Sequence, residues 1–434
     1  MSEGRADMWW KQGSSVSRQL GIILALAVAL RLSAVMFFGA LQDIDNYENI
    51  ARSLLEGKGY RAGEDLEPNV QRPPAYPLML FFIYSALGPS GRNALVCQAL
   101  LSSLTILLIF SAARRVFDQR VALAGAALFA VYPFSVWYAA HLLSETLFTF
   151  LLAASVLYWV RLYQNGTLGD ALGAGFWIGL GSLCKGTMLL LPIAVGASLL
   201  LAHRSQLRQR AFHFLIVSVT TAAVVLPWTL RNISVAGGAL IPVSIGAGHA
   251  FYEGNVLGLK PGPEGNIFRR EVSPERERER MRLFRELSRM GGRRAVEEDR
   301  RLLEQGIVWV REHPDLFLIG VLKKAVAYWY VNSWPTETKT ALIVCLQTPL
   351  LACAAIGCWK RRRELRARAP LLFVIGYFWA VHSVLIVWLR LSFPVMPYVL
   401  LLAAEGLQRA SSRPGSGEPR DECRRRQAHG DTGL

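Results

Sequence analysis

The chain has 434 residues, 52% of them hydrophobic and only 18% charged. Soluble domains carry about 25% charged residues, so this balance argues against a soluble domain and for a membrane protein. A net charge of +16 could suggest a nucleic-acid partner, but the basic residues sit between apolar runs, where membrane topology accounts for them and no nucleic acid is required.

The first run, Leu20 to Phe38, carries one charge, Arg31, and is long enough to cross a bilayer core. It is too long for a removable signal peptide and lacks a small-residue cleavage site. Asp43 and Asp45 follow directly, in Leu41-Gln-Asp-Ile-Asp-Asn-Tyr47. Two carboxylates at a membrane surface either end a helix and face water, or perform acid–base chemistry on a lipid-linked substrate. The stripe Tyr47, Ile50, Ala51, Leu54 and Leu55 predicts an amphipathic helix over 46–60, ended by Gly57 and Gly59. Gln71-Arg-Pro-Pro-Ala-Tyr-Pro77 forces a turn, and Tyr76 to Leu87 is too short to span, so it is read as interfacial.

Further apolar runs lie at 93–113, 121–139, 143–160, 170–184, 187–202, 211–230, 338–358, 370–389 and 391–408. The expectation is an all-α polytopic membrane protein of about ten transmembrane helices, with amphipathic interfacial helices in its outer loops. Clusters at Arg114–Arg120, Arg204–Arg210, Lys360–Arg368 and Arg409–Arg426 then fall on one side, which the positive-inside rule makes cytoplasmic together with both termini. The domain reading is a cytoplasmic N-terminus (1–19), a seven-span catalytic module with its outer loop 41–92 (20–230), a helical outer loop (231–337), a three-span module (338–408) and a disordered basic tail (409–434). In the second outer loop, Ser273-Pro274 predicts a helix start with a mixed-charge body over 275–289. Another helix is expected over 294–312. The apolar stretch 315–334, broken by Lys323 and Lys324, is assigned to the interface. The six cysteines show no metal-type spacing and are read as structural.

Polar residues at the outer span ends gather on one surface: Asp43, Asp45, Arg72, His141, Glu145, Lys185, Arg231, Asn232 and Arg390. Each has an ordinary alternative. Glu145 could cap a helix with Ser144, Lys185 could snorkel, Arg390 could be a turn residue, and His141 and His249 could be structural. Together they suit a phosphate-bearing lipid, with cations binding phosphate and a carboxylate taking a proton from an attacking hydroxyl. Arg231 and Arg390 are the expected bidentate phosphate ligands. A transporter or lipid flippase would also place ionisable groups among many spans, but its polar residues would be expected at mid-membrane and in repeats.

The pattern Asp43-x-x-x-Tyr47-x-x-x-Ala51-x-x-Leu54-Leu55-x-Gly57-x-Gly59-Tyr60, followed by Arg72-Pro-Pro-x-Tyr-Pro77, resembles the first outer loop of bacterial family 39-type membrane glycosyltransferases. Leu142-Leu-Ser-Glu-Thr-Leu-Phe148, Leu226-Pro-Trp-Thr-Leu-Arg-Asn232, Gly246 to Tyr252 with Gly254-Asn255, Glu312-His-Pro314 with Lys323 or Lys324, and Arg390-Leu-Ser-Phe-Pro-Val-Met-Pro-Tyr398 follow in that family's order. The family belongs to the GT-C superfamily, alongside protein mannosyltransferases and the lipid A aminoarabinose transferase. The chain departs from it in carrying Asp43-Ile44 for the usual Asp-Glu pair, and Arg390-Leu391 for Arg-Tyr.

The resemblance implies a GT-C-like bundle in a bacterial inner membrane and an inverting transfer from a polyprenyl-phosphate sugar on the extracytoplasmic face. The acceptor hydroxyl could belong to a lipid, glycan or protein, and the sugar could be a hexose or a pentose. It implies Asp43 as base with Asp45 as partner or alternate. Arg72, Lys185, Arg231 and Arg390 would hold the donor phosphate; Tyr47, His141, Glu145, Asn232, His249, Tyr252 and Asn255 would contact substrate. No cofactor or metal is required, although a divalent cation between Asp43, Asp45 and phosphate is compatible with the spacing.

Overall fold

A computed structural model describes residues 3–39, 45–62, 67–202, 206–257, 274–331 and 337–408. Asp43, the bulk of the loop before Pro274 and the C-terminal tail lie outside the described residues. Every regular element described is helical.

Among the described residues six helices are long and apolar enough to cross a membrane: α1 (Glu3–Phe38, apolar from Ser15), α4 (Gly91–Val116), α7 (Glu145–Asn165), α10 (Leu207–Val235), α15 (Glu337–Lys360) and the stretch formed by α17 (Leu389–Ser392) and α18 (Met396–Leu407). The run expected at 121–139 is two helices, α5 (Gln119–Val131) and α6 (Pro133–Ala139), bent by 53°. Pro133 lacks an N–H, which breaks the helical ladder at Tyr132. The shorter runs form α8 (Leu168–Ser182), α9 (Leu191–Ala202) and α16 (Ala369–Val384). Each apolar run read from the sequence is therefore helical, and the chain is an integral membrane protein.

Arg31, fully buried, explains how the bent pair is tolerated. Its guanidinium donates to the carbonyls of Ala130 (2.9 Å) and Phe129 (3.4 Å), to Ala27 O, and to the hydroxyls of Ser102 and Ser135. The carbonyls freed at the end of α5 thus find a donor in a region where water is scarce.

The centre of the bundle is α7 and α18. In α18's apolar stretch 89% of residues are buried, against 22% in α1, α10 and α15, whose remaining surface is left for lipid. Without a hydrophobic drive between helices in lipid, association rests on close packing of small residues. Gly357 and Gly406 let α15 and α18 approach so closely that an added Cβ would meet backbone, 2.4 Å from Leu402 O and 2.0 Å from Cys353 O respectively.

The remaining helices lie at the end of the bundle away from the Arg/Lys clusters at 114–120 and 360–368. The amphipathic helix α2 (Tyr47–Leu55) is shorter than the sequence pattern suggested, because Gly57 and Gly59 adopt positive φ and turn the chain; Leu55 is exposed. The interfacial helix α3 (Ala75–Leu87) buries Tyr76, Leu80 and Tyr84 and exposes Phe82 and Leu87. Helices α12 (Pro274–Arg289) and α13 (Gly292–Glu312) match the expected starts and stops within a few residues; α14 (Pro314–Ala327) covers only the first part of the apolar stretch 315–334, and α11 (Ala247–Tyr252) forms in a Gly- and Pro-rich segment where no helix was expected. Among the described residues no cysteine pairs and no cluster suits a metal ion.

Candidate functional site

Asp45 is 4% exposed and reaches two arginines. Its Oδ1 lies 3.2 Å from Arg72 Nη2, and its Oδ2 accepts from Arg390 Nη1 at 3.2 Å across 345 residues of sequence. Burial pushes its carboxyl up, but Arg72, Arg390 and Lys185 outweigh that and hold it at about 2. The next residue, Asn46, has φ 59°, a left-handed conformation that asparagine tolerates, and it turns the chain into α2.

Behind this pair lies a second one. Glu145, the first residue of α7, is 1% exposed and accepts from Lys185 Nζ at 2.8 Å; Arg390 Nε stands 3.7 Å from the same oxygen. Ser144 makes no side-chain cap bond, so the ordinary capping alternative does not describe this turn. Lys185 likewise does not snorkel outward but turns to the buried carboxylate. Among the described residues three cations thus face two carboxylates, leaving one positive charge in excess in this inner cluster. The edge of the cluster is aromatic. Arg72 lies over the Tyr47 ring at 5.6 Å, and Tyr47 meets Tyr76 edge-on at 5.0 Å.

The Arg72 loop is built by residues some of which were expected to touch substrate. Asn69 Oδ1 accepts from the backbone N–H groups of Gln71 (3.0 Å) and Arg72 (2.8 Å), and Tyr60 Oη donates to the carbonyls of Arg72 and Pro73. Arg231 donates to Asn69 O at 2.6 Å and stacks on Trp228 (4.7 Å) and Tyr60 (5.2 Å). Arg231, one of the two expected bidentate ligands, is consequently committed to holding the loop and does not line the cavity. Its neighbour Asn232 is fully buried and donates to Ile241 O and Val243 O.

The Arg390 turn has a similar brace. Lys324 Nζ donates to Asn255 Oδ1 (2.7 Å), Val384 O (3.0 Å) and Leu385 O (3.1 Å), satisfying carbonyls at the end of α16. Asn255 also donates to Val384 O at 3.1 Å, so it ties the outer segment to this turn and is not a cavity residue. Tyr252 does not line the cavity. His141 is held on the surface, its Nδ1 2.7 Å from Trp137 O and its ring against Trp137.

A cavity of about 380 Å³ opens between the two loops, within the usual range for small-molecule sites. Asp45, Arg72 and Arg390 line it together with Arg280, Glu253, His249 and Trp388. Arg280 lies 3.7 Å from Glu253 and over Trp388. Asp299 accepts from the backbone N–H of His249 at 2.9 Å. Burial pulls the His249 imidazole below its ordinary value, against the pull of Glu253 and Asp299, so it is neutral at pH 7. Arg280, Glu253, Asp299 and Trp388 were not identified from sequence. For Arg280, Glu253 and Asp299 the only signal was membership of the charged outer segment, a feature that solvated helices share, and Trp388 stood at the end of an apolar run.

Residues 71–230 match the family model described as dolichyl-phosphate-mannose-protein mannosyltransferase. No curated protein sequence matches the chain. Among solved structures, the archaeal oligosaccharyltransferase AglB from Archaeoglobus fulgidus, in complex with an inhibitory peptide and a dolichol-phosphate, superposes with a TM-score of 0.58 at 13% identity, covering 92% of this chain and 50% of its own. The same oligosaccharyltransferase tethered to an acceptor peptide gives 0.57 at 14% identity, with the same 92% and 50% coverage. ArnT from Cupriavidus metallidurans bound to undecaprenyl phosphate gives 0.43 at 16% identity, covering 89% of this chain and 77% of ArnT. The chain spans about half the length (50%) of the archaeal protein it matches.

Proposed function

We propose that this chain, a membrane protein with the GT-C glycosyltransferase fold and a segment of the mannosyltransferase-type family, moves a sugar from a polyprenyl-phosphate carrier to an acceptor hydroxyl on the extracytoplasmic face. The observation that carries this reading is the convergence of Arg72 and Arg390, from opposite ends of the sequence, on one cavity at a helix-end surface. Paired guanidinium groups with a nearby ammonium suit a phosphate in geometry and charge. The matched family and the dolichol-phosphate carried by AglB point to the same class of lipid.

In the proposed reaction the acceptor oxygen attacks the anomeric carbon and the bond from that carbon to the phosphate oxygen breaks. The acceptor proton passes to a carboxylate, and the sugar inverts. Asp43 is the proposed base, because Asp45 is bound to both arginines and, held at about 2, would be a poor proton acceptor. Arg72 and Arg390 take up the charge that develops on the departing phosphate, and Lys185 supports Arg390 through Glu145. Proton removal and phosphate stabilisation are each worth roughly 10²–10³-fold.

The positive-inside pattern supports cytoplasmic termini and an outer site in a bacterial inner membrane. The cationic clusters at 114–120 and 360–368 lie at the opposite helix ends from Asp45, Glu145 and Arg390. Purified protein given a panel of polyprenyl phosphates carrying labelled sugars tests the proposal. Wild type should strip label from one carrier and Asp43→Asn should do so at least about 100-fold more slowly. Equal rates would remove Asp43 as the base, and no stripping from any carrier would remove the transferase reading.

A further inference from the structure

We infer that Asp45 is an internal counter-ion of the arginine pair, one that biases the site towards the singly charged sugar-carrier diester and against the doubly charged carrier left after transfer. This deepens the reading above and rests on it. Both oxygens of Asp45 are used, one on Arg72 and one on Arg390, each at 3.2 Å. The carboxylate is buried, whereas the side chains of Arg72 and Arg390 remain 19% and 35% exposed, so both guanidinium groups present a face to the cavity. A lipid phosphate arriving at that face shares the pair with a negative charge already in place.

The two states of the carrier differ in charge. As a sugar diester the phosphate carries one negative charge; as a free monoester it carries about 1.5–2 at pH 7, its second pKa lying near 6. Repulsion from Asp45 therefore weighs more heavily on the spent carrier than on the loaded one. Asp45 thereby lessens the extra hold that the arginines gain on the lipid once the sugar has left, and product release is favoured by a residue that takes no part in bond making.

Two experiments test this, using polyprenyl monophosphate and its methyl diester as probes. In Asp45→Ser and Asp45→Asn, binding of the monophosphate should tighten by about tenfold, or 1.4 kcal/mol, while the methyl diester changes by less than about threefold. Turnover should fall as monophosphate inhibition strengthens. If both probes weaken together in a folded variant, Asp45 merely positions the arginines and the inference is overturned.

The second experiment uses wild type alone and so does not depend on a variant folding. Between pH 8 and 5.5 the affinity of the monophosphate relative to the methyl diester should change by less than about threefold, because Asp45 offsets what the arginines would gain from the second charge. The groups facing the arginine pair are Asp45, Glu145, Lys185, Glu253, Asp299, Arg280 and His249, and both probes are measured in the same buffers. A ratio that favours the monophosphate by more than about threefold at pH 8 over pH 5.5 overturns the inference. Wild type that binds neither probe would instead overturn the transferase reading itself.

Discussion

Replacing Arg390 by alanine removes the cation shared by the two buried carboxylates. Each keeps one partner: Asp45 retains Arg72 at 3.2 Å, and Glu145 retains Lys185 at 2.8 Å. The Arg390 side chain is 35% exposed, so screening limits the stability lost to about 1 kcal/mol and the variant should fold. Its effect on transfer should be much larger. A preorganised donor aimed at developing charge is worth about 2.7–4 kcal/mol, so the rate should fall roughly 10²–10³-fold. Arg390→Lys keeps the charge but loses the fork, and should sit between wild type and alanine. The assay is kcat/KM for release of polyprenyl phosphate from a labelled donor, with melting temperature as the control for folding. A well-folded Arg390→Ala protein within about fivefold of wild type would refute Arg390 as the phosphate ligand.

Three further outcomes follow from the same geometry. Lys185→Met leaves Glu145, 1% exposed, with only Arg390 at 3.7 Å, and should cost about 2–3 kcal/mol of stability; combining it with Glu145→Gln should recover over half of that loss in detergent melts. Asn69→Ala frees two backbone N–H groups and loosens Arg72, so transfer should drop about tenfold while affinity for a neutral acceptor analogue stays within about twofold. Asp45 has a folded pKa of about 2 against an ordinary 3.8, so its contribution of about 2 kcal/mol should be fully present above pH 4; acid titration should show it disappearing as pH falls from about 4 towards 2.

Much of this fold was legible because apolar runs bounded by Arg and Lys are a strong signal, and each such run is helical here, the run 121–139 as a bent pair. The break at Tyr132 was missed: Pro133 announced it, but a bent pair and a straight span have the same hydropathy. Site residues divided by whether their roles are local. Glu145, Lys185, Arg72 and Arg390 were singled out as ionisable groups at span ends, and the fold brings them to one cluster. Arg231 and Asn255 look identical to ligands in sequence. Only tertiary contacts reveal that Arg231 braces the Arg72 loop and Asn255 the turn before Arg390. Lys324 was noted as part of a motif, but its three carbonyl-side acceptors could not be read from a lysine in an apolar stretch. Arg280, Glu253 and Asp299 were hidden among many similar charges.

The stoichiometry of a single reaction tests the central claim most directly. Wild-type protein would be reconstituted with a sugar-labelled polyprenyl-phosphate donor and an acceptor, and free polyprenyl phosphate and glycosylated acceptor would be counted together. One carrier should be released for each sugar transferred, with inversion at the anomeric carbon. Intact donor appearing in the opposite leaflet, with no free carrier formed, would contradict it and identify a lipid transporter.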